Sequence, residues 1–378
     1  MSNSNIEKQM KLNIHIRNNR MATLSGAMTL FLAAISLLQL VVLHQHAAEA
    51  RTLASTPASA SLSSVQYWAQ ALPAVALPAE LRERVTALDG SNAAVASQLY
   101  QSLLGGSSDL CAAAHLYCDS KQFDAFRLVL PTCSVQFGFR KPDLSQKSTE
   151  GVVSFFRESE LVAGAQIALG DQLDRAPTAP FLPRHLASAL HPASAELLQT
   201  AFGIPAESLL SKESLHTSKL CVGAKEQLLE GEEAFCALSL EDLADQLKVR
   251  FAGQGKQKMA LLPVSMPPSA VNAKSIEARL LQVELRAEAQ QPYLACHAQT
   301  YPFAVHFCHH IPDTRIYSAT LQTVGAQSEV FQAVAICHSD TREWSPKHTA
   351  FADLHSAPGL TEACHWTHQH GLVFVPAA

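Results

Sequence analysis

Arg315-Ile-Tyr-Ser-Ala-Thr-Leu-Gln-Thr-Val324 and, after it, Val330-Phe-Gln-Ala-Val-Ala-Ile-Cys337 decide the fold. Both runs alternate with a period of two and are rich in β-branched and aromatic residues, the pattern of half-buried strands. The same period runs through Ser275–Leu285 and Phe303–Cys308. Beyond Val271 the chain is therefore expected to form an antiparallel sheet of at least four strands. Upstream the period is helical: Ser239 caps a run with apolar Leu240, Leu243, Leu247 and Phe251, and Gly253 follows as a stop. The expected class is α+β, a helical first half followed by an antiparallel β-rich, disulfide-braced C-terminal half.

Composition narrows the function. The chain has 378 residues, of which 48% are hydrophobic and 16% charged, and its formal charge is −5. These values exclude general disorder and a polybasic nucleic-acid binder. Histidine is the anomaly, because ten of the 17 fall in the last 88 residues.

Four of those ten follow a cysteine: Cys296-His297, Cys308-His309, Cys337-His338 and Cys364-His365, at intervals of ten, 27 and 25 residues. Neighbours on a strand point to opposite faces, so an extended Cys-His pair sends its thiol one way and its imidazole the other. One face then collects sulfur, for two disulfides with three connectivities open. The other could gather His297, His309, His338 and His365 around a metal. With the thiols consumed, an all-imidazole set suits copper(II) or zinc, and copper binds more tightly at a given site. With the thiols reduced, Cys₂His₂ zinc becomes available, although the spacing is not that of a zinc finger. The plainer reading makes these histidines buried side chains bonded to backbone carbonyls. His306, His310, His348, His368 and His370 are read as surface residues or as supports behind the ligands.

Residues 1–20 carry Lys8, Lys11, Arg17 and Arg20, and an apolar stretch follows that is densest from Thr29 to Leu43. Ala48-x-Ala50 offers a signal-peptidase site, so residues 1–50 read as a signal peptide cleaved near Ala50. Met21 is a second candidate start. An uncleaved signal anchor is the alternative, because Ala22–Leu43 is nearly long enough to span a bilayer. Nothing after residue 50 is apolar enough to cross a membrane, and an exported chain with nine cysteines is expected to use them mainly as disulfides.

Residues 51–64, of Ala, Ser, Thr and Pro, read as a flexible linker, and 65–150 as a variable N-terminal region. In that region a helix is expected over Asn92–Leu104, and Cys111, Cys118 and Cys133 are expected to give one local disulfide and a spare thiol. The polar stretch Lys141–Gly151 is the boundary to a main domain, 151–378.

The repeat of four Cys-His pairs resembles the BURP domain of plants. Phe155-Phe156, Phe181-Leu-Pro-Arg184, Gly231-Glu-Glu-Ala-Phe-Cys236-Ala-Leu-Ser-Leu-Glu241, Tyr301-Pro302 and Cys337-His-Ser-Asp-Thr341 with Trp344, Pro346, His348 and Phe351 agree with it. Upstream, Tyr67-Trp68 with Leu72-Pro73 is similar to a short segment found behind the signal peptide in the family. Leu190-His-Pro-Ala, His306 and Phe374 depart from the pattern, and none of them removes a repeat residue.

The resemblance implies that Cys221 pairs with Cys236, and that Cys296, Cys308, Cys337 and Cys364 serve as disulfides. It also implies a secreted, cell-wall or apoplastic protein of plant development or stress response, similar to seed proteins and to the non-catalytic β-subunit of polygalacturonase. Its partners would be acidic wall polysaccharide or wall proteins. Protonating all ten C-terminal histidines would move the formal charge of the last 88 residues from −3 to +7, enough to hold pectin in an acidic wall. The alternative implied by the family is a copper-dependent peptide cyclase that cross-links a Tyr or Trp. His297, His309, His338 and His365 would hold its copper, with Gln66-Tyr-Trp68 or Gln98-Leu-Tyr100 as the nearby candidate substrates. A third reading is a purely structural module without metal. No Gly-x-Ser-x-Gly motif supports a hydrolase.

Overall fold

The computed structural model describes residues 62–86, 88, 110–121, 123, 155–169, 179–224, 228–252, 259–267, 275–325, 328–368 and 370–377. The expected signal peptide, the Asn92–Leu104 helix, Cys133 and Tyr100 lie outside them. All the described residues belong to one unit, Ala60–Ala378. Among them no helix is long and apolar enough to cross a membrane.

The helices are α1 (Ser64–Ala71), α2 (Ala79–Arg82), α3 (Leu110–Ala113), α4 (Arg184–Ala189), α5 (Ala195–Phe202), α6 (Leu209–Val222), α7 (Leu240–Phe251) and α8 (Thr349–Asp353). The strands are β1 (Phe155–Phe156), β2 (Gln166–Leu169), β3 (Glu233–Ala237), β4 (Met259–Leu261), β5 (Ile276–Ala287), β6 (Leu294–Gln299), β7 (Val305–His310), β8 (Thr314–Thr323), β9 (Val330–His338), β10 (Ala363–Trp366) and β11 (Leu372–Pro376).

The alternating runs do form strands, in two sheets rather than the one expected. A six-stranded antiparallel sheet has the order β1-β10-β9-β8-β5-β2, and a five-stranded one the order β3-β7-β6-β11-β4. The chain changes sheet after β2, β4, β5, β7 and β10, and the shortest of these crossings lies between β7 and β8. There Ile311-Pro312-Asp313 carries the chain from one sheet to the other, with Asp313 in the left-handed region at φ 53°. Periodicity records that each run is extended but not which neighbour it pairs with.

The sheets pack face to face. One apolar cluster draws Tyr293, Ala295, Val373 and Val375 from the five-stranded side and Ile316, Val334 and Ile336 from the six-stranded side. The outer face of the five-stranded sheet carries Leu294, Cys296, Cys308, Leu372 and Phe374, and α7 covers it with Leu240, Leu243, Ala244, Leu247 and Phe251. That helix starts as its sequence requires, with the Ser239 hydroxyl accepting from Asp242 N and acids in the first turn.

The same cluster contains Trp68, Leu72, Leu77 and Leu81. The flexible linker expected over 51–64 therefore ends before Ser63. Ser63 caps α1 in a capping box with Gln66, and the helix begins at Ser64 because Trp68, 1% exposed, has a sheet to pack on. The described part of 65–150 packs against the C-terminal region within the same unit. Tyr67 donates to Asp245 at 2.6 Å, and Arg84 lies over the Phe181 ring at 4.8 Å.

Candidate metal site

Eight cysteines form four disulfides: Cys111–Cys118, Cys221–Cys236, Cys296–Cys308 and Cys337–Cys364. The last two join residues directly opposite each other, Cys296 on Cys308 across β6 and β7, and Cys364 on Cys337 across β10 and β9. Of the three open connectivities the structure selects the one that staples neighbouring strands. It also removes these thiols as zinc ligands.

Alternation then acts as the sequence implies. Behind each staple the imidazoles turn to the opposite face, which is the space between the sheets. His297 and His309 come from the five-stranded sheet, His338 and His365 from the six-stranded one. Nε2 of His297 lies 3.1 Å from Nε2 of His309. The ring of His297 is 6.3 Å from that of His365, which stacks on His338 at 5.5 Å. Three of the four, His297, His309 and His338, are buried.

The atoms behind the rings fix their orientation. Nδ1 of His309 meets Oε1 of Glu232 at 3.2 Å, Nδ1 of His338 meets the Thr314 hydroxyl at 3.0 Å, and Nδ1 of His365 meets the Trp366 carbonyl at 3.3 Å. For His309 the contact leaves Nε2 directed at His297. Sequence reading missed Glu232 and Thr314 as supports, although Glu232 lies in the quoted Gly-Glu-Glu segment. A carboxylate behind a histidine is the usual companion of a metal ligand.

The other histidines divide. His348 caps α8, its Nδ1 accepting from Ala350 N, with its ring 4.6 Å from Trp344 and 5.3 Å from Phe155, beside the site. His368 lies within electrostatic reach of His297 and His365. His306 is neither a surface residue nor a support. It is fully buried on the opposite face of its sheet, stacked on Phe181 at 5.4 Å with Arg84 at its Nε2. His310 packs on Tyr293.

Do these residues fit a metal? Two nitrogens bound at 2.0–2.1 Å to one ion stand roughly 2.9–3.4 Å apart in square or tetrahedral arrangements, and the His297–His309 separation falls in that interval. As placed, no three His, Cys, Asp or Glu side chains among the described residues are close enough to hold an ion. The donor set fits nonetheless: neutral nitrogen, with Nδ1 engaged on three of the four rings. Burial, and secondarily the neighbouring imidazoles, push His297 and His338 well below the ordinary histidine value. Burial brings His365 down to about 3 and His348 to about 4. Neutral imidazole is the form a metal requires.

This electrostatics corrects the charge-switch expectation. His306 is held low by burial and Arg84, and His310 falls to about 4 through burial and Arg250. Six of the ten C-terminal histidines therefore stay neutral where an acidic wall would protonate exposed ones. A depressed value in a base means that the unfolded chain takes up protons first. The stability due to these neutral rings is complete above pH about 6.5 and declines as pH falls toward about 4. Thermal melts of the metal-free protein should show Tm falling steadily across that window, and a flat Tm would contradict the burial of these rings.

A family model described as the BURP domain matches residues 154–376. BURP domain-containing protein 12 of Oryza sativa subsp. japonica is 32% identical over 224 residues, 59% of this chain and 34% of that protein. BURP domain-containing protein 16 of the same plant is 28% identical over 330 residues, 85% of this chain and 91% of its own length. The polygalacturonase-1 non-catalytic subunit beta of Solanum lycopersicum is 28% identical over 225 residues, 59% of this chain and 34% of its own. The chain spans about a third of the length of the first curated relatives it matches. With more than half its length matched, and with every repeat cysteine and histidine in place, the chain belongs to the BURP-domain family.

Proposed function

We propose that the protein is a secreted, wall-associated BURP protein that acts as a non-catalytic module and holds copper through His297, His309, His338 and His365. The observation that carries the metal is that four imidazoles, from two sheets, turn into one space behind two cross-strand disulfides, with two of their nitrogens 3.1 Å apart. Copper is preferred to zinc because the set is all nitrogen and copper leads the affinity order at such a site. The wall association is supported by the similarity to non-catalytic subunits of polygalacturonase, which makes a wall enzyme or the acidic polysaccharide around it the partner class. A role in development or stress response follows the family.

One observation favours a second reading, a copper-dependent peptide cyclase. His365, on β10, is only partly buried, and Trp344 and His348 line the same end of the site. Bound copper would supply one-electron oxidation at an unactivated carbon, which acid–base groups cannot readily reach. The chain's own residues would hold the ion and keep water away from it. Trp68 is a poor self-substrate, since its ring is buried and its indole N–H donates to the Val75 carbonyl at 3.0 Å. A peptide from another chain fits this reading better. Gln98-Leu-Tyr100 lies outside the described residues.

Metal analysis and intact mass of the secreted protein, before and after incubation with copper(II) and oxygen, test both readings. Stoichiometric copper at unchanged mass is the expected result. A loss of about two daltons in the chain or in an added aromatic peptide would establish the cyclase instead. Absence of copper would leave a disulfide-braced module without metal.

A further inference from the structure

We infer that Glu232 and Thr314 are positioning residues that fix the tautomer of His309 and His338, and that the Tyr293 hydroxyl pins Ile311 in the link between β7 and β8. The inference rests on the copper reading for its purpose but not for its geometry.

An ionised carboxylate only accepts hydrogen bonds. Oε1 of Glu232 stands 3.2 Å from Nδ1 of His309, and its Oε2 already accepts from Leu229 N at 2.9 Å. Nδ1 of His309 therefore carries the proton and Nε2 is left with a lone pair. The consequence reaches His297. At 3.1 Å its Nε2 faces that lone pair, so in the metal-free protein His297 is the donor. A single proton then lies between the two rings in the metal-free protein.

The second support works from the other sheet. The Thr314 hydroxyl lies 3.4 Å from the Pro312 carbonyl, which only accepts, and 3.0 Å from Nδ1 of His338. With its proton turned to Pro312, it accepts from Nδ1 of His338. Nε2 of His338 is again the free acceptor. In water the Nε2–H form is the commoner neutral imidazole, so two buried rings held as Nδ1–H need a cause, and these side chains provide it.

Glu232 immediately precedes β3 of the five-stranded sheet and Thr314 opens β8 of the six-stranded one, and Ile311-Pro312-Asp313 joins β7, which carries His309, to β8. Tyr293 anchors this link from both sides. Its hydroxyl donates to the Ile311 carbonyl at 3.0 Å and accepts from Ile311 N at 2.9 Å. Burial pushes this phenol up to about 12. Glu232 itself is 7% exposed.

The test begins without metal. Nitrogen-15 NMR of the histidine rings in the metal-free wild type should show Nδ1–H tautomers for His309 and His338. Nε2–H at either ring overturns the inference whether or not copper binds. Copper(II) titration by competition, with the EPR spectrum, follows. Glu232→Gln and Thr314→Val should each bind roughly 10–100-fold more weakly and with an altered spectrum. Thr314→Ser, which keeps the hydroxyl, should stay near the wild type. Wild-type affinity and spectrum in both of the first two variants would overturn the positioning role while leaving the copper reading intact. A wild type with Nδ1–H tautomers that takes up no copper would retire the copper reading and leave the tautomer assignment standing. If Glu232→Gln fails to fold, the comparison of Thr314→Val with Thr314→Ser decides.

Discussion

Replacing Trp68 with alanine is expected to lower the unfolding free energy by about 3–5 kcal/mol, and a chain shortened to residues 154–376 is expected not to reach a folded, soluble state. The family-matched span alone leaves one side of the five-stranded sheet without part of its cover. Trp68, Leu72, Leu77 and Leu81 lie in the same apolar cluster as α7 and the sheet residues Cys296, Cys308 and Phe374. Burying four such side chains contributes roughly 1.5–3 kcal/mol each, an upper estimate but comparable with the roughly 5–15 kcal/mol that separates folded from unfolded domains. The polar ties add direction. Trp68 donates to Val75 O, Tyr67 to Asp245, and Arg184 reaches both Asp242 and Asp245. Urea unfolding followed by far-UV circular dichroism checks both statements. A shortened chain with a cooperative transition at the wild-type midpoint would show that the N-terminal segment is dispensable.

What could be read from the sequence differs between the two levels. Strand periodicity at Arg315–Val324 and Val330–Cys337 was legible because one face of each is buried, and the observed strands, Thr314–Thr323 and Val330–His338, differ by a residue at their ends. The helix after Ser239 was legible from its cap and its 3.6-residue pattern. The division into two sheets was not, since the chain changes sheet after β2, β4, β5, β7 and β10, and which neighbour a strand pairs with leaves no periodic signal. The short strands β1, β2, β3, β4, β10 and β11 were not read either, because two to five residues are too few to show a period. For the site, the alternation of Cys and His gave direction, and the facing of the sheets supplied the distance that direction alone lacks. Glu232 and Thr314 could not be found this way, because a supporting group is chosen by position in space. His306 was misread for a related reason: its ring shares a face with Cys308, opposite to His309, and so lies in the core beneath the N-terminal segment.

Removing the Cys337–Cys364 staple by a double change to alanine is expected to cost about 3.5 kcal/mol of stability and to weaken copper binding, whereas removing Cys111–Cys118 should cost about 2.4 kcal/mol and leave copper binding unchanged. The first figures follow from the lengths of chain each bond closes. A separation of 27 residues restricts the unfolded chain more than one of seven, and Cys296–Cys308, at 12, falls between them at about 2.8 kcal/mol. The difference in metal binding has another origin. Cys337 and Cys364 are register partners, and His338 and His365 are their immediate neighbours on the opposite face. Holding the backbones together at a Cα–Cα distance of 4.0 Å limits how far the two imidazoles can move apart. Cys111 and Cys118 pack against the cluster that holds Leu198, Phe202 and Tyr301, to which none of the four rings belongs. Comparing the two double variants therefore separates a general loss of stability from a loss of site geometry. Calorimetry gives the first and copper titration the second, both under conditions where each variant remains folded. Equal copper affinity in the two would mean that the staples stabilise the sheets without setting the positions of the histidines.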